Sequence, residues 1–343
     1  PSNGYVRITQ VSSSTVVLAT VQTSLKTVAA TDNWAMGSWN VENGFPAAVS
    51  FFEQRLYFAG TIAEPQTVWG SVPLDYENFT PGSNADDAVS FTIADNQVNA
   101  VRWLAAGKSL AVGTLGGNFI LDSDTSSGPI TPTNINIKKE TTFGTDLIIP
   151  KRIGSGIVYV QRNNLTIREL AYNFEEDTQV AADVTLLSEH ITESGIKDID
   201  YQEAPDGILW CVRKDGLMAT MTRLASQDVT AWTRQSTQGS FMPVAVIPNG
   251  NEDQVWVVTQ RSTTYSATTT NGYVRMIEYF MPFTLPADVA LVTGSTTIIT
   301  HPNVFFVDSG ISYSNQNTRA ATVTGLDHLK GMTVSILGDG AVF

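Results

Sequence analysis

Three residue types are scarce in this chain of 343 residues: one cysteine, three histidines and few cations. With Cys211 alone, no intrachain disulfide can form. It sits in the apolar run Ile208-Leu209-Trp210-Cys211-Val212 and reads as a buried small hydrophobe. His190, His301 and His328 lie far apart in sequence and form no H-x-x-x-H spacing, which argues against a zinc site or a histidine-based nucleophile. The 20 Lys and Arg face 33 Asp and Glu, giving a net charge of -13. The cations occur singly or in pairs such as Lys138-Lys139 and Lys151-Arg152. A conventional nucleic-acid-binding face needs clustered positive charge to release phosphate counterions, so that class is disfavoured. No signal-peptide pattern and no apolar run of about 18 residues is present, so nothing in the sequence reads as a membrane anchor. Helical periodicity is nearly absent as well.

What remains is 42% hydrophobic and 15% charged, enough for a large core in one big or two ordinary domains. Short runs of Val, Ile, Tyr, Phe, Trp and Thr are bounded by Gly, Asn, Asp and Pro throughout, the mark of an all-β chain. These strands repeat. Leu56-Tyr57-Phe58-Ala59 is followed by a run around Thr67-Val68-Trp69, and the couplet returns from Leu110, Ile157, Ile208 and Val255. Successive copies start 54, 47, 51 and 47 residues apart. Each is preceded by a further apolar run, and Phe91-Thr92-Ile93 and Thr230-Ala231-Trp232-Thr233 are candidates for a fourth strand. A period of about 50 residues in an all-β chain predicts a β-propeller with five or six four-stranded blades.

Five copies span 45–282, the predicted propeller core. Residues 1–44 form a flanking β segment, and 283–343 form a last blade or the start of a further β domain. A sixth blade built from the flanks would use Tyr5-Val6-Arg7-Ile8 and Thr15 to Thr20 at one end and Val304-Phe305-Phe306-Val307 at the other. The alternative gives the flanks to neighbouring β domains. The chain opens at Pro1 and stops at Phe343 inside a strand-like run, which reads as a piece of a longer protein.

Candidate chemistry is sparse. Gly113-Thr114-Leu115-Gly116-Gly117 reads as a hairpin turn, because a phosphate cradle needs a strand-to-helix transition. Asp122 to Gly128 alternates oxygens ahead of a glycine but lacks the closing glutamate of a calcium loop. Asp86-Asp87 and Glu175-Glu176-Asp177 could hold a cation or act as a carboxylate pair, yet adjacent carboxylates on a strand point to opposite faces. Arg55, Arg152, Arg162, Arg213 and Arg261 recur near the central strands. A sialidase-like propeller would converge such arginines on one substrate, whereas recurrence in every copy predicts structural ion pairs. No catalytic, cofactor-binding or metal-binding residue is assigned. The stretch from Ser50 to Ser71 is the most polar of the copies. Within it, Glu53 and Arg55 read as a pair on one strand face, and Phe51, Leu56, Phe58 and Trp69 as blade packing. Glu53, Arg55 and Trp69 are the candidate interface with a neighbouring subunit, so that Arg55→Ala should impair assembly more than monomer stability.

Several runs together carry a likeness. They are Gly44-Phe45-Pro46, Phe52-Glu53-Gln54-Arg55-Leu56, Pro65-Gln66-Thr67-Val68-Trp69-Gly70-Ser71 and Asp75-Tyr76-Glu77-Asn78-Phe79, with Ser188-Glu189-His190-Ile191 and Ala231-Trp232-Thr233-Arg234. The late runs Gly325 to Gly331 and Asp339-Gly340 belong with them. The chain thereby resembles tail nozzle proteins of short-tailed bacteriophages, the tail tubular protein B family. The resemblance implies β-propeller domains in a homo-oligomeric, sixfold ring around the DNA ejection channel, with adapter and fibre proteins as partners and the virion tail as location. It names no active site. An acidic lumen would let DNA pass without sticking. The competing expectation is a propeller that binds or cleaves host-surface carbohydrate.

Overall fold

Runs of β-branched and aromatic residues interrupted by turn residues commit the chain to strands, and among the described residues the computed structural model is all-β apart from one short α-helix, α1 (Glu189–Thr192). The structure describes residues 4–280 except 26, 28, 31–33, 35, 97–98, 125–127, 225–226, 228, 264–271; beyond 280 it describes 290–293, 296–299, 322, 324, 329, 334–338 and 341–342. The chain divides into two compact units, Pro1–Lys139 and Glu140–Phe343. This division falls inside the predicted 45–282 core and not at its ends.

The first unit begins with a two-stranded ribbon, β1 (Val6–Ser13) and β2 (Val16–Val21). Then come two antiparallel meanders. Blade 1 is β3 (Ala48–Phe52), β4 (Arg55–Ala59), β5 (Thr67–Gly70) and β6 (Val89–Thr92). Blade 2 is β7 (Val101–Ala106), β8 (Leu110–Thr114), β9 (Gly117–Ser123) and β10 (Ile135–Thr141), whose last strand crosses the division. The second unit holds blade 3, made of β11 (Lys151–Ile153), β12 (Gly156–Val160), β13 (Ile167–Asn173) and β14 (Thr178–Asp183). Blade 4 is β15 (Ile196–Gln202), β16 (Ile208–Arg213), β17 (Met218–Leu224) and β18 (Val229–Gln235). Blade 5 has three strands among the described residues: β19 (Ser240–Asn249), β20 (Glu252–Thr263) and β21 (Gly272–Tyr279). Two small hairpins follow, β22 (Ala290–Thr293) with β23 (Thr296–Ile299), and β24 (Leu337–Gly338) with β25 (Ala341–Val342).

The five meanders coincide with the five repeats read from the sequence, and β6 and β18 are the outer strands expected at Phe91 and Trp232. Within each unit the first strand of one blade lies against the first strand of the next: β3 by β7, β11 by β15, β15 by β19. That is the arrangement of propeller blades, whose inner strands converge towards an axis. Strands β8 and β12 are buried at every residue, because neighbouring material covers both faces of the sheet. Their sequences therefore read as continuous apolar runs and not as alternation, as they do for any strand buried on two faces. Outer strand β18, by contrast, is mostly exposed.

Blade 1 packs on blade 2 through Phe52, Tyr57, Val68, Val101, Leu110 and Val112. In the second unit Ile199, Leu209 and Cys211 bind blade 3 to blade 4, and Trp210, Phe241 and Val255 bind blade 4 to blade 5. Each fully buried aliphatic side chain contributes about 1.5–3 kcal/mol. Cys211 is completely buried, and burial pushes its thiol pKa well up, as the reading of a small hydrophobe requires.

Polar latches run between successive blades. Asp198 and Asp200 on β15 accept the N–H groups of Val244 and Val246 on β19 at 3.1 and 2.7 Å. Asp200 also takes Lys151 Nζ of β11 at 2.7 Å, and Glu169 on β13 meets Arg223 Nε of β17 at 3.0 Å. Part of the acidic excess thus serves as carboxylate acceptors for strand edges that would otherwise lack partners.

Among the described residues β1 and β2, one half of the expected sixth blade, pair with each other and with no blade strand, and every residue of both is exposed. Val304 to Val307, the other half of that expectation, lie outside the described residues, as do Gly325 to His328, Lys330, Gly331, Asp339 and Gly340.

Candidate functional site

The sharpest local feature is the turn between β3 and β4. Phe52 pairs with Arg55, leaving Glu53 and Gln54 as a two-residue loop with φ of 45° and 62°. Positive φ at both positions is the type I′ turn that matches strand twist, usually built with Asn-Gly. Here two residues with full side chains hold it, at a local cost of about 1 kcal/mol or more. This corrects the pairing expected on a strand face: Glu53 is not on a strand. Its carboxylate Oε2 instead accepts the N–H of Ile130 at 3.0 Å, in the loop between β9 and β10.

Arg55, first residue of β4, is 3% exposed. It makes no ion pair with Glu53. Nη1 donates to Ser71 O at 2.6 Å and Asp87 O at 2.7 Å, and Nη2 donates to Ala85 O at 2.9 Å. The guanidinium thus fastens the loop before β6 onto the end of β4. Burial lowers its pKa, while Tyr57, Asp86, Glu53 and Asp87 act in the opposite direction. Beside it Tyr57 is fully buried, and desolvation raises its phenol well above the usual range.

Trp69 is also buried, at the edge of an aromatic cluster on the opposite face of blade 1. Trp39 stands edge-on to Phe58 at 4.9 Å, to Phe79 at 4.9 Å and to Trp69 at 5.8 Å. Of the three interface candidates, then, only Glu53 presents its side chain to solvent. Phe51, expected in the packing, is 61% exposed and rests edge-on against Tyr76 at 5.2 Å. Leu56 and Phe58 are half-buried.

Glu53 and Arg55 open onto a cavity of about 670 Å³ that also receives Asp86, Lys108, Asp122 and Ile130. Lys108 is in the turn between β7 and β8, the counterpart in blade 2 of the Glu53-Gln54 turn, so the repeat places both turns at one end of the unit. Asp122 is the next-to-last residue of β9, with Oδ2 accepting Ser109 Oγ at 2.8 Å and Oδ1 taking the N–H of Ser123 at 2.8 Å. Motif spacing missed this gathering. Equivalent turns of successive repeats share one end of a propeller, and that register was the signal available for finding it.

The other sequence candidates go elsewhere. Arg213 and Arg261 are each 2% exposed and ion-paired, to Asp215 at 2.5 Å and Glu278 at 2.9 Å, as the structural reading expected. Arg152 and Arg162 are exposed. Partial burial pushes Asp215 up, but the Arg213 guanidinium and the Leu217 N–H outweigh it and hold the carboxyl below its usual value. Asp87 caps its own loop through Asn84 N, and Asp177 accepts the Tyr172 hydroxyl at 2.6 Å. Glu175 and Glu176 are exposed, and so is His190 on α1. His301 and His328 lie outside the described residues, as do Thr125, Ser126 and Ser127 of the calcium-like loop. No group of three metal-ligating side chains occurs among the described residues.

No protein-family model matches the sequence, and no curated protein is significantly similar to it. Solved structures do resemble the fold at low identity. A luciferin-regenerating enzyme is 11% identical over 68% of this chain and 90% of its own, with a TM-score of 0.29. The major allergen Mala s 1 of Malassezia sympodialis is 9% identical over 62% and 72%, with a TM-score of 0.36. The calcium-binding protein regucalcin of Agrobacterium tumefaciens is 10% identical over 65% and 84%, with a TM-score of 0.24.

Proposed function

We propose that this protein is a structural component of a bacteriophage tail, a nozzle-like subunit that joins further copies of itself around the path of the ejected DNA. The observation that carries the reading is the β1–β2 ribbon. All eight residues of β1 and all six of β2 are exposed, among them Val6, Ile8, Val11, Val17, Leu18 and Val21. A lone two-stranded ribbon is marginally stable in water, and its free edges present unpaired N–H and C=O groups. Such an element gains its stability by adding to another sheet, here that of a neighbouring copy. The formal charge of -13 supports passage of DNA without adhesion. Adapter and fibre proteins of the same tail are the further partners this role requires, and the virion tail is its location.

The test is mass photometry and negative-stain microscopy of the purified protein and of a variant lacking residues 5–22. Ring-shaped oligomers that are lost with the ribbon support the reading. A monomer at tens of micromolar that no purified tail adapter recruits would overturn it.

A further inference from the structure

We propose that the cleft between the β3–β4 and β7–β8 turns binds a pyranose sugar unit. Its volume of about 670 Å³ falls in the range of small-ligand sites. Its charges are mixed: Glu53, Asp86 and Asp122 face Arg55 and Lys108. One surplus negative charge disfavours a free phosphate or carboxylate ion, and the two cations disfavour a metal ion. A neutral polyol meets neither objection, because carboxylates accept the hydrogens of vicinal hydroxyls while a guanidinium or ammonium donates to ring and hydroxyl oxygens.

The donors are held ready. Arg55 has five N–H groups, and the carbonyls of Ser71, Asp87 and Ala85 take three of them. Two are left on a side chain that is 3% exposed and lines the cavity. The same three bonds fix the guanidinium plane, so little rotamer freedom remains to be lost on binding. Glu53 is likewise oriented, by the N–H of Ile130 on one oxygen, which leaves the other carboxylate oxygen available. Pro73 and Pro129 supply an apolar wall for the C–H face of a sugar ring.

The inference is independent of the tail reading, since a sugar site is as compatible with a free propeller as with a virion subunit. It is tested by saturation-transfer NMR with the methyl α-glycosides of glucose, galactose, mannose and N-acetylglucosamine, which detects dissociation constants on the order of 1 mM. The expected result is transfer to at least one probe from the native protein, reduced at least fivefold by Asp86→Asn and by Lys108→Ala. Both residues are exposed in loops, so neither change endangers folding. Asp206→Asn, an exposed carboxylate in the other unit, should leave the transfer unchanged. Absence of transfer to all four probes overturns the proposal. So does transfer that survives both cleft variants, or that Asp206→Asn removes equally.

Discussion

Replacing Arg55 by alanine should destabilise the first unit by about 3–5 kcal/mol. Hydrogen bonds from a charged donor contribute about 1.5–3 kcal/mol each, and Arg55 makes three. They are not additive. The Ala85 and Asp87 carbonyls belong to a loop where water can replace the guanidinium, but Ser71 is fully buried, and its carbonyl would be left without that donor. Arg55→Lys keeps the charge yet cannot present the planar fork, so it should recover at most about half of the loss. Hydrogen exchange over residues 48–92 reads the effect locally, in a protein whose two units need not unfold together. Protection there should fall at least a hundredfold in the alanine variant. A fall of less than tenfold, about 1.4 kcal/mol, would refute the reasoning. An intact exchange pattern combined with loss of oligomers would restore the interface role that the sequence suggested for this residue, whereas its burial predicts the reverse order of effects.

Two further outcomes are expected. Burial raises the Asp198 carboxyl against the N–H bonds of Val244 and Ile199 and the charge of Lys151, so the ionised form is less favoured in the folded than in the unfolded state. Stability contributed by this group is therefore fully present below the unfolded value, near 3.9, and is lost as pH rises through the folded pKa. Asp198→Asn should flatten that part of the pH–stability curve in urea titrations while keeping an oxygen acceptor for Val244, and a steeper curve would contradict the sign. Gly113→Ala should cost about 1–3 kcal/mol, because the new methyl would clash with the ring of the buried Trp103 across the β7–β8 pair. Thermal denaturation measures it, and an unchanged midpoint would mean that Trp103 moves aside freely.

The repeat was legible in the sequence because a blade sheet covered on both faces needs a continuous apolar central strand. Leu110 to Gly113, Ile157 to Val160 and Ile208 to Val212 announce themselves in that way. Outer strands such as β10 are half wet and short of apolar residues, so they were harder to place from composition alone. For Arg213 and Arg261 the buried ion-pair role was legible, whereas Arg152 and Arg162 of the same recurring set are exposed. Arg55 departs from that role because its neighbour Glu53 is carried into a turn and across to Ile130.

The sequence by itself determined the all-β class, the spacing of the blades and the solitary buried thiol, since each depends on local pattern and on side-chain hydrophobicity. Only the tertiary structure decided which polar groups meet. Glu53 and Arg55 are two residues apart yet form no ion pair, while Glu53 and the N–H of Ile130 meet across 77 residues. Backbone dihedrals at a single turn set that outcome: positive φ at Glu53 and Gln54 turns the chain within two residues and directs their side chains off the strand faces. Period-two arithmetic on a linear sequence has no term for such a reversal.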